Sequence, residues 1–267
     1  MLLGAQVARH WPFANGSGRI LDRFAKGSLG TGKRRAMTSD GFPMNVLADD
    51  LIGRHILMTG KFDRSIVQVL LDHAQPSDML LDIGANIGYV SACFLANVKG
   101  SKAVSVEPQP GIVDLLSENL RQFGKRAIIY PVALSDKPGE LRFHVDTVNR
   151  GASKISDQGE ITVPAIRAAD LLASLDRLNL IKIDVEGHEE PIFRSIEPEL
   201  LRLKPRAILF EDHGTDAAPE GKIGSILSRV GYRIFGIEKR LLSTRLVTVG
   251  KAEDCRFNDY IAVQRWT

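Results

Sequence analysis

The sequence predicts an α/β fold, a mostly parallel sheet with helices on both faces. Three observations carry this. From Met79 onward, short apolar runs alternate with helical stretches in a regular β–α order. The run Met79–Ile83 is almost continuously apolar, as in a strand covered on both faces. It passes directly into a glycine loop, Gly84 to Gly88, and then into a helix. That strand–loop–helix offers free N–H groups and a positive dipole end to a polar ligand.

The elements follow in order. Residues 1–35 hold seven basic side chains and one acid, a net +6 that leaves −3 for the remainder of this +3 chain. They are expected to form a flexible basic extension, with a short helix over 19–26. Ser39-Asp40-Gly41 is a turn signal between 35–38 and 43–47, so a hairpin is expected there. Asp49 is placed to cap a helix over 50–58 that Gly60 ends, and Asp63 to begin a second helix closed by Pro76. Residues 36–76 thus make a hairpin and helical preface. The main domain, 77–267, supplies strands at 79–83, 102–106, 127–131, 180–185 and 206–210, with closing strands at 232–237 and 260–264. Helices are expected at 89–98, 111–123, 169–175, 189–196 and 223–230. A turn at 135–139, an inserted hairpin strand at 141–145, a polar loop at 149–159 and an extended segment at 161–166 complete it.

In such a sheet, ligands bind at the carboxyl ends of the strands, where strand order reverses. The strands deliver Asp82 with Gly84–Gly88, then Glu107, then Ser135 and Asp136, then Asp184, Glu186 and His188, then Glu211, Asp212 and His213. Glu107 follows a strand some twenty residues beyond the loop, where a carboxylate accepts from both ribose hydroxyls. A nucleoside cofactor is therefore expected. The glycine spacing is Gly-x-x-x-Gly, Asn86 stands where a pyrophosphate would favour glycine, and the rim is acidic. These features fit S-adenosyl-L-methionine better than a dinucleotide. Asp82 is placed to orient its ammonium, directly or through water.

Four segments carry a family resemblance: Leu81-Asp82-Ile83-Gly84-Ala85-Asn86-Ile87-Gly88-Tyr89, Val106-Glu107-Pro108, Ala133-Leu134-Ser135-Asp136 and Ile181-Lys182-Ile183-Asp184-Val185-Glu186-Gly187-His188-Glu189. Together they resemble the FkbM family of S-adenosylmethionine-dependent methyltransferases, over about residues 40–215. The resemblance implies a Rossmann-like class I methyltransferase fold, with a seven-stranded, mostly parallel sheet and an antiparallel strand near its end. It implies O-methylation of a hydroxyl on a small molecule or glycan. It also implies that Asp82, Gly84, Ala85, Asn86 and Gly88 hold the methionine end, Glu107 the ribose, and Ser135 and Asp136 the adenine. Asp184 then faces the transfer region. An alcohol needs a base, and Asp184, Glu186, His188 and His213 are the candidates, His188 having the intrinsic pKa nearest neutrality and His213 being more readily a loop histidine.

A metal between Asp184, Glu211 and Asp212 is a further arrangement of these acids, but structural or cofactor roles are preferred and no metal is expected. The rival readings are a nicotinamide-dependent oxidoreductase and a non-catalytic cofactor-binding module. The body of the chain is not basic, which opposes nucleic-acid binding. No run approaches the ~20 apolar residues of a membrane span. Two cysteines, Cys93 and Cys255, make no disulfide framework, so a reducing, cytoplasmic setting is expected. Cys93 is expected in the core.

Overall fold

The computed structural model describes residues 29–147 and 149–264. Most of the basic extension, and the helix expected over 19–26, lie outside the described residues.

The preface is a hairpin, β1 (Lys33–Met37) and β2 (Pro43–Leu47), then helices α1 (Leu51–Thr59) and α2 (Arg64–Asp72). The hairpin pairs Lys33 with Leu47, so residues 33–35 belong to it and not to the extension. Asp50, not Asp49, caps α1, its carboxylate accepting from the N–H groups of Ile52 and Gly53. Asp49 instead accepts from the N–H of Gly32 at 3.0 Å.

The central alternation runs β3 (Met79–Ile83), α3 (Tyr89–Asn97), β4 (Lys102–Val106), α4 (Pro110–Leu120) and β5 (Ala127–Tyr130). A small insertion follows: β6 (Ala133–Ser135), β7 (Gly139–His144), β8 (Lys154–Ile155) and β9 (Ile161–Arg167). These four form a separate sheet in the order β6-β9-β7-β8. Ser135 therefore ends a strand where a turn was expected, and the segment expected to be a polar loop contributes β8. The chain continues through α5 (Ala168–Ala173), β10 (Leu180–Ile183), α6 (Glu189–Leu203), β11 (Ala207–Glu211), α7 (Lys222–Arg229), β12 (Tyr232–Lys239), β13 (Thr244–Thr248) and β14 (Asp259–Gln264).

The main sheet has the order β13-β12-β14-β11-β10-β3-β4-β5. Strands β5, β4, β3, β10 and β11 are parallel, and β14 lies antiparallel between β11 and β12. The α/β architecture is the expected one, but the sheet has eight strands, because β13 adds to the edge as a hairpin partner of β12. Helix α6 also runs past its expected end at 196, through Pro198. Ile192, Ile196 and Leu200 recur every fourth residue and are all buried, so one apolar stripe spans both sides of the proline.

Each face of the sheet carries a core. On one, Leu80 packs with Phe94, Leu116 and the preface residues Val46, Ile56 and Leu70. On the other, Leu81, Ile83, Ile181 and Ile183 pack with Phe193, Leu172 and Leu227. Strand order reverses between β3 and β10, so their carboxyl ends open side by side. Cys93 is fully buried in the first core, as expected. No helix among the described residues is long and apolar enough to cross a membrane.

Candidate active site

A cavity of about 290 Å³ sits at that switch point. Its floor is the loop Gly84–Ile87, its sides Glu107–Gln109, Val132–Leu134 and Lys182–Glu186, and its roof comes from α1, α2 and the insertion.

The loop is held close to β10. Gly84 has φ +75°, and a Cβ there would lie 1.8 Å from the carbonyl oxygen of Asp184. Glycine is required both for the conformation and for the approach. The N–H groups of Gly84 and Ala85 both donate to the carbonyl of Val106, at 3.0 Å each. Asn86, at φ +48°, turns its N–H onto Glu107 Oε2 at 2.9 Å. Glu107 Oε1 accepts from the N–H of Gln109, also at 2.9 Å. The carboxylate is thus fixed at the cavity wall, and each oxygen keeps further acceptor capacity. Burial pushes its pKa up to about 7, against the pull of the two N–H bonds.

Beneath the loop lies a polar row across three strands. Ser105, Asp82 and Lys182 stand at the same height in β4, β3 and β10. Ser91 of α3 donates to Asp82 Oδ2 at 2.6 Å and contacts Ser105 Oγ at 2.8 Å. Lys182 Nζ lies 3.5 Å from Asp82 Oδ1 and 3.1 Å from Asp184 Oδ2. It also donates to the carbonyl of Gly84 at 2.8 Å. Burial alone would lower the lysine pKa, but Asp184 and Asp82 outweigh it and raise it.

At the far side three acids converge. Glu186, at φ +54°, has its pKa raised by burial and then by Asp184. Glu211 has its pKa pushed well up, by burial first and then by Asp184 and Glu186. Its Oε2 is buried without a hydrogen-bond partner. Glu186, Glu211 and His213 bring one donor atom each within 4.8 Å of one another. Asp212, weighed above as a metal ligand, instead caps a turn through the N–H groups of Gly214 and Ala217.

The structure thus brings Gly84, Ala85, Asn86, Glu107, Asp184 and Glu186 to one cavity. It places the others elsewhere. Asp82 is fully buried and off the cavity wall, because strand alternation turns it toward Ser91. It reaches the loop only through Lys182. Gly88 also lies off the wall, tucked at φ +85° against Leu116. His188 Nε2 is bonded to Ser135 Oγ at 2.9 Å, and Asp136 to Arg194 at 2.8 Å. This cluster, which carries the expected adenine contacts Ser135 and Asp136 and the expected base His188, lies outside the cavity lining. Val132–Leu134 take the lining position instead. Lys182 and Arg150 are cavity residues that the sequence reading did not select. The charge inside Leu180-Ile181-Lys182-Ile183 was the available signal for the first.

The family model of the FkbM methyltransferase domain matches residues 82–234, which include this loop, Glu107 and both strand ends. The chain belongs to the FkbM methyltransferase family.

Among its relatives, the hexuronic acid methyltransferase AglP of Haloferax volcanii is 29% identical over 137 residues. That match takes in 50% of this chain and 56% of AglP, so the chain spans little more than half of that protein. The 2-O-methyltransferase NoeI of Sinorhizobium fredii is 24% identical over 184 residues, covering 61% of this chain and 73% of NoeI. A crystal structure of the methyltransferase FkbM from Methylobacillus flagellatus aligns with a TM-score of 0.46 at 14% identity, over 78% of this chain and 52% of that one.

Proposed function

We propose that this FkbM-family chain is an S-adenosylmethionine-dependent O-methyltransferase acting on a hydroxyl of a small molecule or glycan. The observation that carries the reading is Glu107, held at the cavity wall by the N–H groups of Asn86 and Gln109, beside the loop whose Gly84 packs against the Asp184 carbonyl. These residues fit a nucleoside with an amino-acid tail. When bound, S-adenosylmethionine supplies a methyl group activated by its sulfonium charge. Glu107 accepts from the ribose hydroxyls, and Gly84–Asn86 lie under the methionine part.

Asp184 and Glu186 stand on the transfer side. Their charge favours a cationic cofactor and a neutral hydroxyl over an anionic oxygen at that point. With His188 outside the cavity lining, Glu186 is the base in this reading. Its pKa is raised by burial and by Asp184, which suits proton acceptance. Glu186→Gln is expected to lower kcat by about 10²-fold with S-adenosylhomocysteine affinity unchanged. The assay reads homocysteine-nucleoside release with a panel of sugar hydroxyl acceptors. An unchanged kcat removes Glu186 from the mechanism. The name of AglP, a hexuronic acid methyltransferase, supports a sugar-like acceptor, and that of NoeI, a 2-O-methyltransferase, supports transfer to oxygen.

The cofactor site has a pH signature. Below about 7, Glu107 gains a proton and gives up acceptor capacity. Affinity for S-adenosylhomocysteine is therefore expected to rise by up to about tenfold between pH 6 and pH 8. Glu107→Gln should bind more weakly and lose this slope. Calorimetric titration at the two pH values checks both. A flat wild-type profile contradicts the placement of the ribose on Glu107.

A further inference from the structure

We propose that Arg150 is the carboxylate anchor of this cavity, gripping an acid group of the bound molecule with its guanidinium. The inference rests on the cofactor reading above and adds the recognition of an anion. The cavity is lined by six acids, Asp63, Glu107, Asp184, Glu186, Glu211 and Asp259, and among the described residues by three cations, Arg150, Lys182 and Lys239. Two of those cations are already occupied. Lys182 is shared between Asp82 and Asp184. Lys239 Nζ lies 2.7 Å from both Asp63 and Asp259.

Arg150 differs. Its Nη1 is fully buried and has no hydrogen-bond partner. The nearest carboxylate oxygen, Oδ2 of Asp49, is 3.6 Å away, beyond hydrogen-bond range. Asp49 is also engaged by the N–H of Gly32. A buried donor on a charged group is costly to leave unsatisfied. A ligand carboxylate would meet that donor with charge-assisted bonds in the fork geometry suited to guanidinium. The backbone holds the group in place: the Arg150 N–H donates to Oδ1 of Asp50, the cap of α1, at 2.8 Å. The short turn Arg150–Ala152 is thereby pinned to the cavity roof. A phosphate dianion would face six carboxyl groups with one cation not already hydrogen-bonded, Arg150, whose ion pair with Asp49 is long at 3.6 Å, so a singly charged carboxylate is the better match.

Two carboxylates share this chemistry: the methionyl carboxylate of the cofactor and an acid group on the acceptor, as in a hexuronic acid. Calorimetry on the full chain separates them. Wild type and Arg150→Met are titrated with S-adenosylhomocysteine and with 5′-methylthioadenosine, which keeps the nucleoside but lacks the carboxylate. Both proteins, saturated with S-adenosylhomocysteine, are then titrated with D-glucuronate and D-glucose. If the cofactor supplies the group, Arg150→Met weakens S-adenosylhomocysteine by about tenfold or more and leaves 5′-methylthioadenosine unchanged. If the acceptor supplies it, glucuronate binding falls by a similar factor and S-adenosylhomocysteine is unchanged. Arg150→Lys, which keeps the charge and loses the fork, should lie between, and it serves if the methionine variant does not fold. S-adenosylhomocysteine affinity within twofold of wild type, with no difference toward glucuronate, overturns the anchor alone. A wild type that binds neither nucleoside overturns the cofactor reading, and this inference with it.

Discussion

Gly84→Ala is expected to abolish cofactor binding and to cost about 3 kcal/mol or more of stability. Two effects add. The residue sits at φ +75°, where an L side chain is strained by about 1–2 kcal/mol. The new Cβ would also stand 1.8 Å from the Asp184 carbonyl oxygen and 2.9 Å from its carbon. Both are backbone atoms of the strand end, so neither can swing aside. Relief requires the loop to lift off β10. That motion breaks the bonds from Gly84 and Ala85 to Val106 and moves the Asn86 N–H away from Glu107. Loss of S-adenosylhomocysteine binding by about 100-fold or more should accompany the drop in urea midpoint. Gly88→Ala provides the contrast, since its Cβ would meet the flexible end of Leu116 at 2.7 Å. It should destabilise the chain while retaining more of the binding. If Gly84→Ala binds as wild type does, the loop is not the cradle.

Lys182→Met is the second large effect. The side chain is buried between Asp82, which is fully buried, and Asp184, and it holds the Gly84 carbonyl. Removing it leaves Asp82 charged inside the first core with only Ser91 donating to it. The expected cost is about 3–5 kcal/mol, a fall in melting temperature of about 10 °C for a chain of this size. Adding Asp82→Asn removes the stranded charge, so the double variant should recover part of the loss. A double variant no more stable than Lys182→Met would show that the lysine does not act through Asp82. Cofactor affinity should stay reduced in both, because the tie to Gly84 is gone in both.

The contrast between these residues and the displaced ones shows what the sequence can reveal. Apolar runs and glycine spacing define β3, β4 and the loop, since those signals are local. Strand β13 was hidden because Thr244–Thr248 is an edge strand with no buried residue, and so shows no alternating pattern to read. Position at the cavity was legible where the backbone itself places a residue, as at Gly84, Asn86 and Glu107. Facing that depends on register was not legible. Asp82 belongs to the motif but points at Ser91, and His188 follows a functional strand but bonds Ser135. The partner of each lies nine or more residues away, and only the folded sheet brings them together. Arg150 is the extreme case. It is separated from the strands that frame the cavity and becomes part of it only through the insertion's docking on α1.

In the proposed function the Gly84–Glu107 cavity holds S-adenosylmethionine. Parallel calorimetric titration of the full chain with S-adenosylmethionine and with NAD⁺ tests it most directly. One-to-one binding of S-adenosylmethionine is expected, weakened by about 50-fold or more in Glu107→Ala, with no measurable heat from NAD⁺. Binding of NAD⁺ in preference to S-adenosylmethionine, or an affinity for S-adenosylmethionine that Glu107→Ala leaves unchanged, would contradict it.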